Sequence, residues 1–196
     1  MKSVLISIRP KWCEKIASGE KTIEVRKTRP KLQTPFRVYI YRTKGTVPHI
    51  INGKWVQMEV GGTVIGEFTC DRIYGLAPLN HAPDDVEQQA CLTREEIVRY
   101  LKGVGYGWHI SDLKIYDTPR ELGEFWAYNE VLHKRYDAET DFCCYDSTNE
   151  YGEALTDCGD AYLDIRNCYR CWNEWSGWCH RIKRPPQSWC YVEELK

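Results

Sequence analysis

The stretch KTIEVRK, residues 21–27, follows a glycine and alternates without a break. Side chains on an extended strand change face at every residue. Ile23 and Val25 therefore share one face, and Thr22, Glu24 and Arg26 share the other. This predicts a strand with one apolar side and one chemically busy side. Its flanks fit the same picture. SVLISI, residues 3–8, reads as a short buried strand. Pro10 stands where helices start, and KWCEKIASG gives one short helix that Gly19 ends. Trp12, Cys13 and Ile16 are spaced to share its buried face.

The chain continues with strand signals. Pro30 and Pro35 bracket a loop, and FRVYIYRT, residues 36–43, is β-branched and aromatic. Asn52-Gly53 between apolar runs is the strongest hairpin signal in the chain. TVIGEFTCDRIYGL reads as one long strand, with Gly66 marking a bulge or a tight bend. TREEIVRYL, residues 93–101, opens on a capping box, Thr93 with Glu96, and Ile97, Val98 and Leu101 give it an inner face. DLKIYD, residues 112–117, is a further strand. From about residue 133 the text becomes acidic and rich in Cys and Trp. It closes on a Pro-Pro stop and the strand Trp189-Cys190-Tyr191-Val192. The expected fold is α+β: a small mixed β-barrel over residues 1–132 with two or more flanking helices. Residues 133–180 are a Cys-rich insertion before the last strand, and residues 181–196 close the barrel.

Composition decides a few classes. Among 196 residues no apolar run approaches the ~20 that a spanning helix needs. The N-terminal apolar run is short and lacks a small-residue cleavage site, so a cytoplasmic location is expected. Charge is unevenly spread. Residues 1–60 hold 13 Lys/Arg and 4 Asp/Glu, whereas 137–164 hold nine acidic residues and no Lys or Arg. Two solvated faces of opposite sign would explain this, and so would a basic N-terminal surface that meets phosphate.

The order strand, Pro-started helix, Ser-Gly-Glu-Lys-x-x-Glu-x-Arg, strand resembles the N-terminal signature of ASCH domains. Residues 4–27, VLISIRPKWCEKIASGEKTIEVRK, carry it, and VIGEF at 64–68 and the helix at 93–101 continue it. The ending RPPQSWCYVEE is similar to phage- and prophage-encoded members. The resemblance spans roughly 1–125 and 181–196 and leaves out the insertion. It implies a PUA-like β-barrel and the handling of RNA or a nucleotide. Some relatives hydrolyse N-acetylated cytidine or cleave single-stranded RNA. The amidohydrolase members use a Lys after the Gly, a Thr three residues on, and a downstream acid. Lys21 matches the first. Glu24 stands at the second, without a hydroxyl, and Gln89 or Ala90 stands near the third, so the triad is incomplete and the enzyme question stays open.

Lys21, Glu24 and Arg26 are the candidate binding residues, with Lys21 and Glu24 also the candidates for catalysis. Arg offers a planar fork to phosphate or a base edge, and Lys a mobile point charge. Arg9 and Lys11 widen the basic rim, and Lys15, Lys27, Arg29 and Lys31 extend it. Glu24 and Arg26 can equally form a plain structural ion pair, and Lys21 can simply cap the helix before it. Trp12, Tyr39 and Tyr41 suit base stacking or the core. Trp55, beside the turn, is expected to be exposed.

Seven of the ten cysteines follow residue 142. Cys168-x2-Cys171-x7-Cys179 has the knuckle spacing of one structural zinc, with Cys143, Cys144, Cys158 or His180 as fourth ligand. Reduced buried thiols or a disulfide remain open alternatives, whereas Cys13, Cys70 and Cys190 read as core. The partners expected are RNA or a nucleotide, no membrane, and a protein partner through the acidic insertion.

Overall fold

The computed structural model describes residues 2–76, 82–128 and 181–195. The strands are β1 (Lys2–Ile8), β2 (Ile23–Arg26), β3 (Phe36–Arg42), β4 (Gly45–Ile51), β5 (Lys54–Val60), β6 (Thr63–Cys70), β7 (Ile73–Gly75), β8 (Tyr106–His109), β9 (Ser111–Glu121) and β10 (Trp189–Glu193). The helices are α1 (Pro10–Ala17), α2 (Val86–Ala90) and α3 (Arg94–Leu101), and a 3-10 turn covers Leu122–Glu124. The class is mixed α+β and mostly strands.

A five-stranded sheet runs β10-β1-β3-β6-β9, a three-stranded sheet runs β2-β8-β7, and β4-β5 pair only with each other. β1 and β3 are parallel neighbours, and β10 lies antiparallel on the other side of β1. Among the described residues the ladders stay separate, and no closed barrel ladder is seen. The reason lies at two corners. The expected strand 63–76 breaks at Asp71-Arg72, so β6 stays in one sheet and β7 joins the other. The chain crosses back at Ile110, between β8 and β9. The two sheets thus share continuous chain without sharing a ladder.

One core cluster, including Val4, Ile6, Ile8, Cys13, Ile16, Phe68 and Trp108, joins β1, α1, β6 and β8. A second, including Leu5, Tyr39, Tyr41, Phe125 and Val192, lies on the opposite face of β1 and β3. Alternation along β1 feeds both clusters, and so this strand is buried on both sides. Tyr39 and Tyr41 are therefore core residues, and Trp12 is half-buried against the first cluster. A third cluster packs Ile23 and Val25 of β2 on Val86, Ala90, Ile97 and Leu101 of α2 and α3.

Local chemistry explains most element ends. Thr93 and Glu96 form the expected capping box, with Glu96 N donating to Thr93 Oγ1 at 3.2 Å and Thr93 N donating to Glu96 Oε2 at 2.8 Å. Val98 is corrected to the surface, 57% exposed, because Ile97 and Leu101 alone face β2. Gly66 marks a β6–β9 register shift, where a Cβ would lie 2.4 Å from the Lys114 carbonyl oxygen. Asn52 and Gly53 both take positive φ, 51° and 74°, and form the tight turn between β4 and β5. The zinc candidates Cys143, Cys144, Cys158, Cys168, Cys171, Cys179 and His180, with the acidic stretch 137–164, lie outside the described residues.

Candidate functional site

β2 is buried along all four residues, so its charged face is not the open face its alternation suggested. Ile23 and Val25 are covered by α2 and α3. Glu24 pairs in register with Trp108 of β8, and residues directly opposite on an antiparallel ladder share a face. Glu24 therefore sits beside Trp108, which is fully buried in the core cluster that α1 and β1 also line. The charges of β2 point into the molecule.

Lys21 and Arg26 converge on Glu24 from either side. Lys21 Nζ lies 3.5 Å from Glu24 Oε2, and Arg26 Nη2 lies 3.0 Å from Glu24 Oε1. Relative exposure is 2% at Lys21, 6% at Glu24 and 7% at Arg26. Each cation also donates to the backbone. Lys21 Nζ donates to the Ala90 carbonyl at 2.7 Å, and Arg26 Nη2 donates to the Ser7 carbonyl at 2.6 Å. Arg26 Nη1 reaches Ser188 Oγ at 3.3 Å, just before the closing strand β10. Arg26 Nε is buried without a hydrogen-bond partner among the described residues. One carboxylate thus offsets two buried cations, and the trio keeps a net positive charge.

Burial pushes the Lys21 ammonium below the usual lysine value, and the Glu24 carboxylate only partly counters this. Burial also pushes the nearby Cys13 thiol up to about 12, with Glu24 adding to the rise, so Cys13 stays a neutral core residue. Lys21 does act as a helix cap, but on the last carbonyl of α2 rather than of α1. Its own N–H donates to the Lys15 carbonyl at the end of α1, so one residue ties two helix ends together.

Trp12 of α1 joins the buried charges to the surface. Lys21 Nζ lies 5.1 Å from its ring centroid, and the exposed Lys11 Nζ lies 4.2 Å from it. Arg9, at the N-cap of α1, is exposed, as are Lys27, Arg29 and Lys31 beyond β2. Arg29 stacks 5.4 Å from the Tyr106 ring. The structure thus buries Lys21, Glu24 and Arg26 and leaves Arg9 and Lys11 in water.

Gln89 and Ala90, which the sequence sets near the third catalytic position, do stand beside Lys21, whereas Ser7, Ser188 and the His109–Asp71 pair escaped sequence reasoning. Gln89 and Ala90 flank Lys21 and Thr22: Thr22 N donates to the Gln89 carbonyl at 2.9 Å, and Thr22 Oγ1 to Gln89 Oε1 at 3.3 Å. They belong to α2, whose five residues are too few to show a helical period. Ser7 and Ser188 contribute from β1 and a Pro-rich approach, where only their small size signals closeness to a guanidinium. His109, which fits no ligand spacing, sets Nδ1 2.7 Å from Asp71 Oδ1 at the β6–β7 corner. Among the described residues no three His, Cys, Asp or Glu side chains gather as a metal site. No described helix is long and apolar enough to cross a membrane.

Comparison with known proteins gives two results. The family model described as ASCH domain matches residues 6–139. Among solved structures, a point mutant of the ASCH protein of Zymomonas mobilis, ZmASCH, is similar at 20% identity and a TM-score of 0.47, covering 68% of this chain and 81% of that one. The unsubstituted ZmASCH gives the same identity and TM-score, covering 67% of this chain and 77% of its own. No curated protein matches the chain in sequence.

Proposed function

The chain belongs to the ASCH domain family, and from that premise we propose that it holds RNA or a nucleotide on a basic surface of exposed Arg9 and Lys11 that the buried Lys21, Glu24 and Arg26 support. The observation that carries this reading is the buried trio itself. Two cations and one carboxylate taken out of water are costly to fold, and a removed partner leaves an uncompensated charge. Lys11 and Lys21 both lie over the Trp12 ring, and Arg9, Lys27, Arg29 and Lys31 are exposed on the segments that flank α1 and β2. Phosphate is the ligand class that such a set attracts, through point charges from Lys and a fork from Arg. Trp12, with a lysine on its ring from each of two sides of the sequence, offers the aromatic surface on which a base stacks.

The test is binding of short single-stranded RNA at low and raised salt. Affinity falls with salt as phosphate contacts release counterions. Arg26→Ala weakens binding, with circular dichroism confirming that the variant folds. Binding absent at low salt, or unchanged in a folded Arg26→Ala protein, overturns the reading.

A second reading is a hydrolase on RNA or a modified nucleoside. It is favoured by the 3.5 Å approach of Lys21 Nζ to Glu24, which sets a proton donor beside a carboxylate. RNA cleavage or release of acetate from N-acetylated cytidine, lost in Lys21→Met, supports it. The PUA-like barrel and phage-type membership are part of the same proposal, supported by the match of the motif and of the ending RPPQSWCYVEE to such members. Zinc at Cys168, Cys171 and Cys179 is a separate proposal. Elemental analysis gives about one zinc per chain if it holds, by the stoichiometry of a four-ligand site.

A further inference from the structure

The β4–β5 hairpin stands apart from both sheets. Its strands pair in register from Gly45↔Val60 to Ile51↔Lys54, and neither has another neighbour. Two-stranded ribbons without a packed face are marginal in water. This one nevertheless exposes large apolar groups: Trp55 is 72% exposed, Ile50 55% and Ile51 48%. Ile50 and Trp55 are directly opposite in the ladder, so they form one apolar platform beside the turn. Such a patch marks a binding surface more often than a lone exposed side chain does.

Its charge identifies the occupant. Glu59 is the one carboxylate between residues 45 and 60. Lys44 at the base and Lys54 at the tip are exposed. The base of β4 rests on the start of α1, where a Cβ on Gly45 would lie 3.2 Å from Pro10 Cγ. That places the hairpin next to Arg9 and Lys11. None of these four cations has a carboxylate partner among the described residues. A platform of indole and isoleucine with exposed cations at its tip and base that have no carboxylate partner is complementary to a polyanion with flat apolar rings.

We propose that the β4–β5 hairpin is a second contact for single-stranded RNA, with a base seated on Trp55 and Ile50 and the phosphates following Lys44, Arg9 and Lys11. The inference rests on the RNA-binding reading above and adds the direction in which the strand leaves the surface that Lys21 and Arg26 support. A seven-residue strand spans about 23 Å at ~3.3 Å per residue.

The experiment is fluorescence anisotropy of end-labelled oligouridylates of increasing length with the full chain, its Trp55→Ala and Trp55→Phe variants, and Arg26→Ala. Wild-type affinity rises as the oligomer passes the hairpin's reach. Trp55→Ala raises Kd for the long oligomer at least about 5-fold, the lower end of one stacked base, and leaves short oligomers unchanged. Trp55→Phe recovers most of the loss. The salt slope stays the same in Trp55→Ala and falls by about one in Lys44→Ala, which removes a phosphate contact. If the wild-type chain binds the long oligomer and Trp55→Ala binds it equally well, the hairpin proposal is overturned while the Arg26 reading stands. If Trp55→Ala instead converts a dimer to a monomer in sedimentation with RNA affinity unchanged, the platform is a contact between copies and the proposal fails. If no oligomer binds the wild type, both readings fall.

Discussion

The Lys21–Glu24–Arg26 cluster and the β4–β5 hairpin depart from the ordinary relation to water in opposite directions. The cluster buries three charges to below one-tenth exposure, in a core that includes Trp108. The hairpin holds Trp55, Ile50 and Ile51 in solvent on two strands that share a ladder only with each other. In the cluster Lys21 is tied to α2 and Arg26 to β1 and the approach to β10, with Glu24 between them, so its geometry belongs to the whole fold. In the hairpin the ladder and the Asn52-Gly53 turn are local, and little of the fold depends on the exposed side chains. The cluster should therefore govern stability, and the hairpin should govern what the surface touches.

Removing the shared carboxylate breaks this comparison most severely. Glu24→Ala leaves Lys21 and Arg26 buried without their counter-charge and is expected to cost about 3–5 kcal/mol in denaturant unfolding. Glu20→Ala, which removes the exposed partner 2.7 Å from Lys15 Nζ, is expected to leave the denaturation midpoint nearly unchanged, because solvent screens this pair. Similar costs for the two variants would mean that Glu24 is well hydrated and the cluster only superficially buried.

Arg26→Lys is next in size. Lysine keeps the charge but cannot reach Glu24, the Ser7 carbonyl and Ser188 at once. Losing hydrogen bonds from a charged donor is expected to cost about 1–3 kcal/mol, seen as a lower denaturation midpoint with an unchanged slope. An unaltered midpoint would show that the guanidinium fork does not hold the β1–β2 arrangement.

The contrast between the regions reflects what a sequence pattern reports. The alternation in KTIEVRK correctly separates Ile23 and Val25 from Glu24 and Arg26. Period two says which residues share a face and is silent on what covers it. Here α2 and α3 cover one face, and the core beside Trp108 covers the other. α2 is one short turn, with no period to read. The hairpin was legible because Asn52-Gly53 fixes its turn locally. Gly66 did mark its bulge, but the break at Asp71-Arg72 and the run of β9 on to Glu121 were not legible, because they depend on strands far away in the chain. Tyr39 and Tyr41 are core for the same reason: β3 is central in its sheet, with neighbours on both sides.

Lys21 gives a pH signature that sharpens the comparison. Its folded-state proton affinity lies below the ordinary lysine value of 10.5, through burial. Between the lowered value and 10.5 the unfolded chain binds more protons at this site, so its contribution to stability rises with pH. The buried Cys13 and Cys70 thiols, both held near 12, act in the opposite sense as pH rises past the thiol value of 9.0. The signature is therefore the difference between the wild type and Lys21→Met: the variant loses the rising component in alkaline unfolding curves. Parallel curves would mean that Lys21 is not desolvated.

The smallest effects on stability belong to the hairpin. Trp55→Ala and Ile50→Ser are expected to change unfolding free energy by no more than about 0.5 kcal/mol, as surface substitutions do. A loss of several kcal/mol in thermal unfolding would show that the platform is packed on something and is not free to receive a base.

The most direct measurement is a crystal of the full chain soaked with a mononucleotide and with a short oligouridylate. The account predicts phosphates on the exposed Arg9 and Lys11, beside the buried Lys21–Glu24–Arg26 cluster. A nucleotide seated elsewhere, with the surface around Arg9 and Lys11 empty, would contradict it.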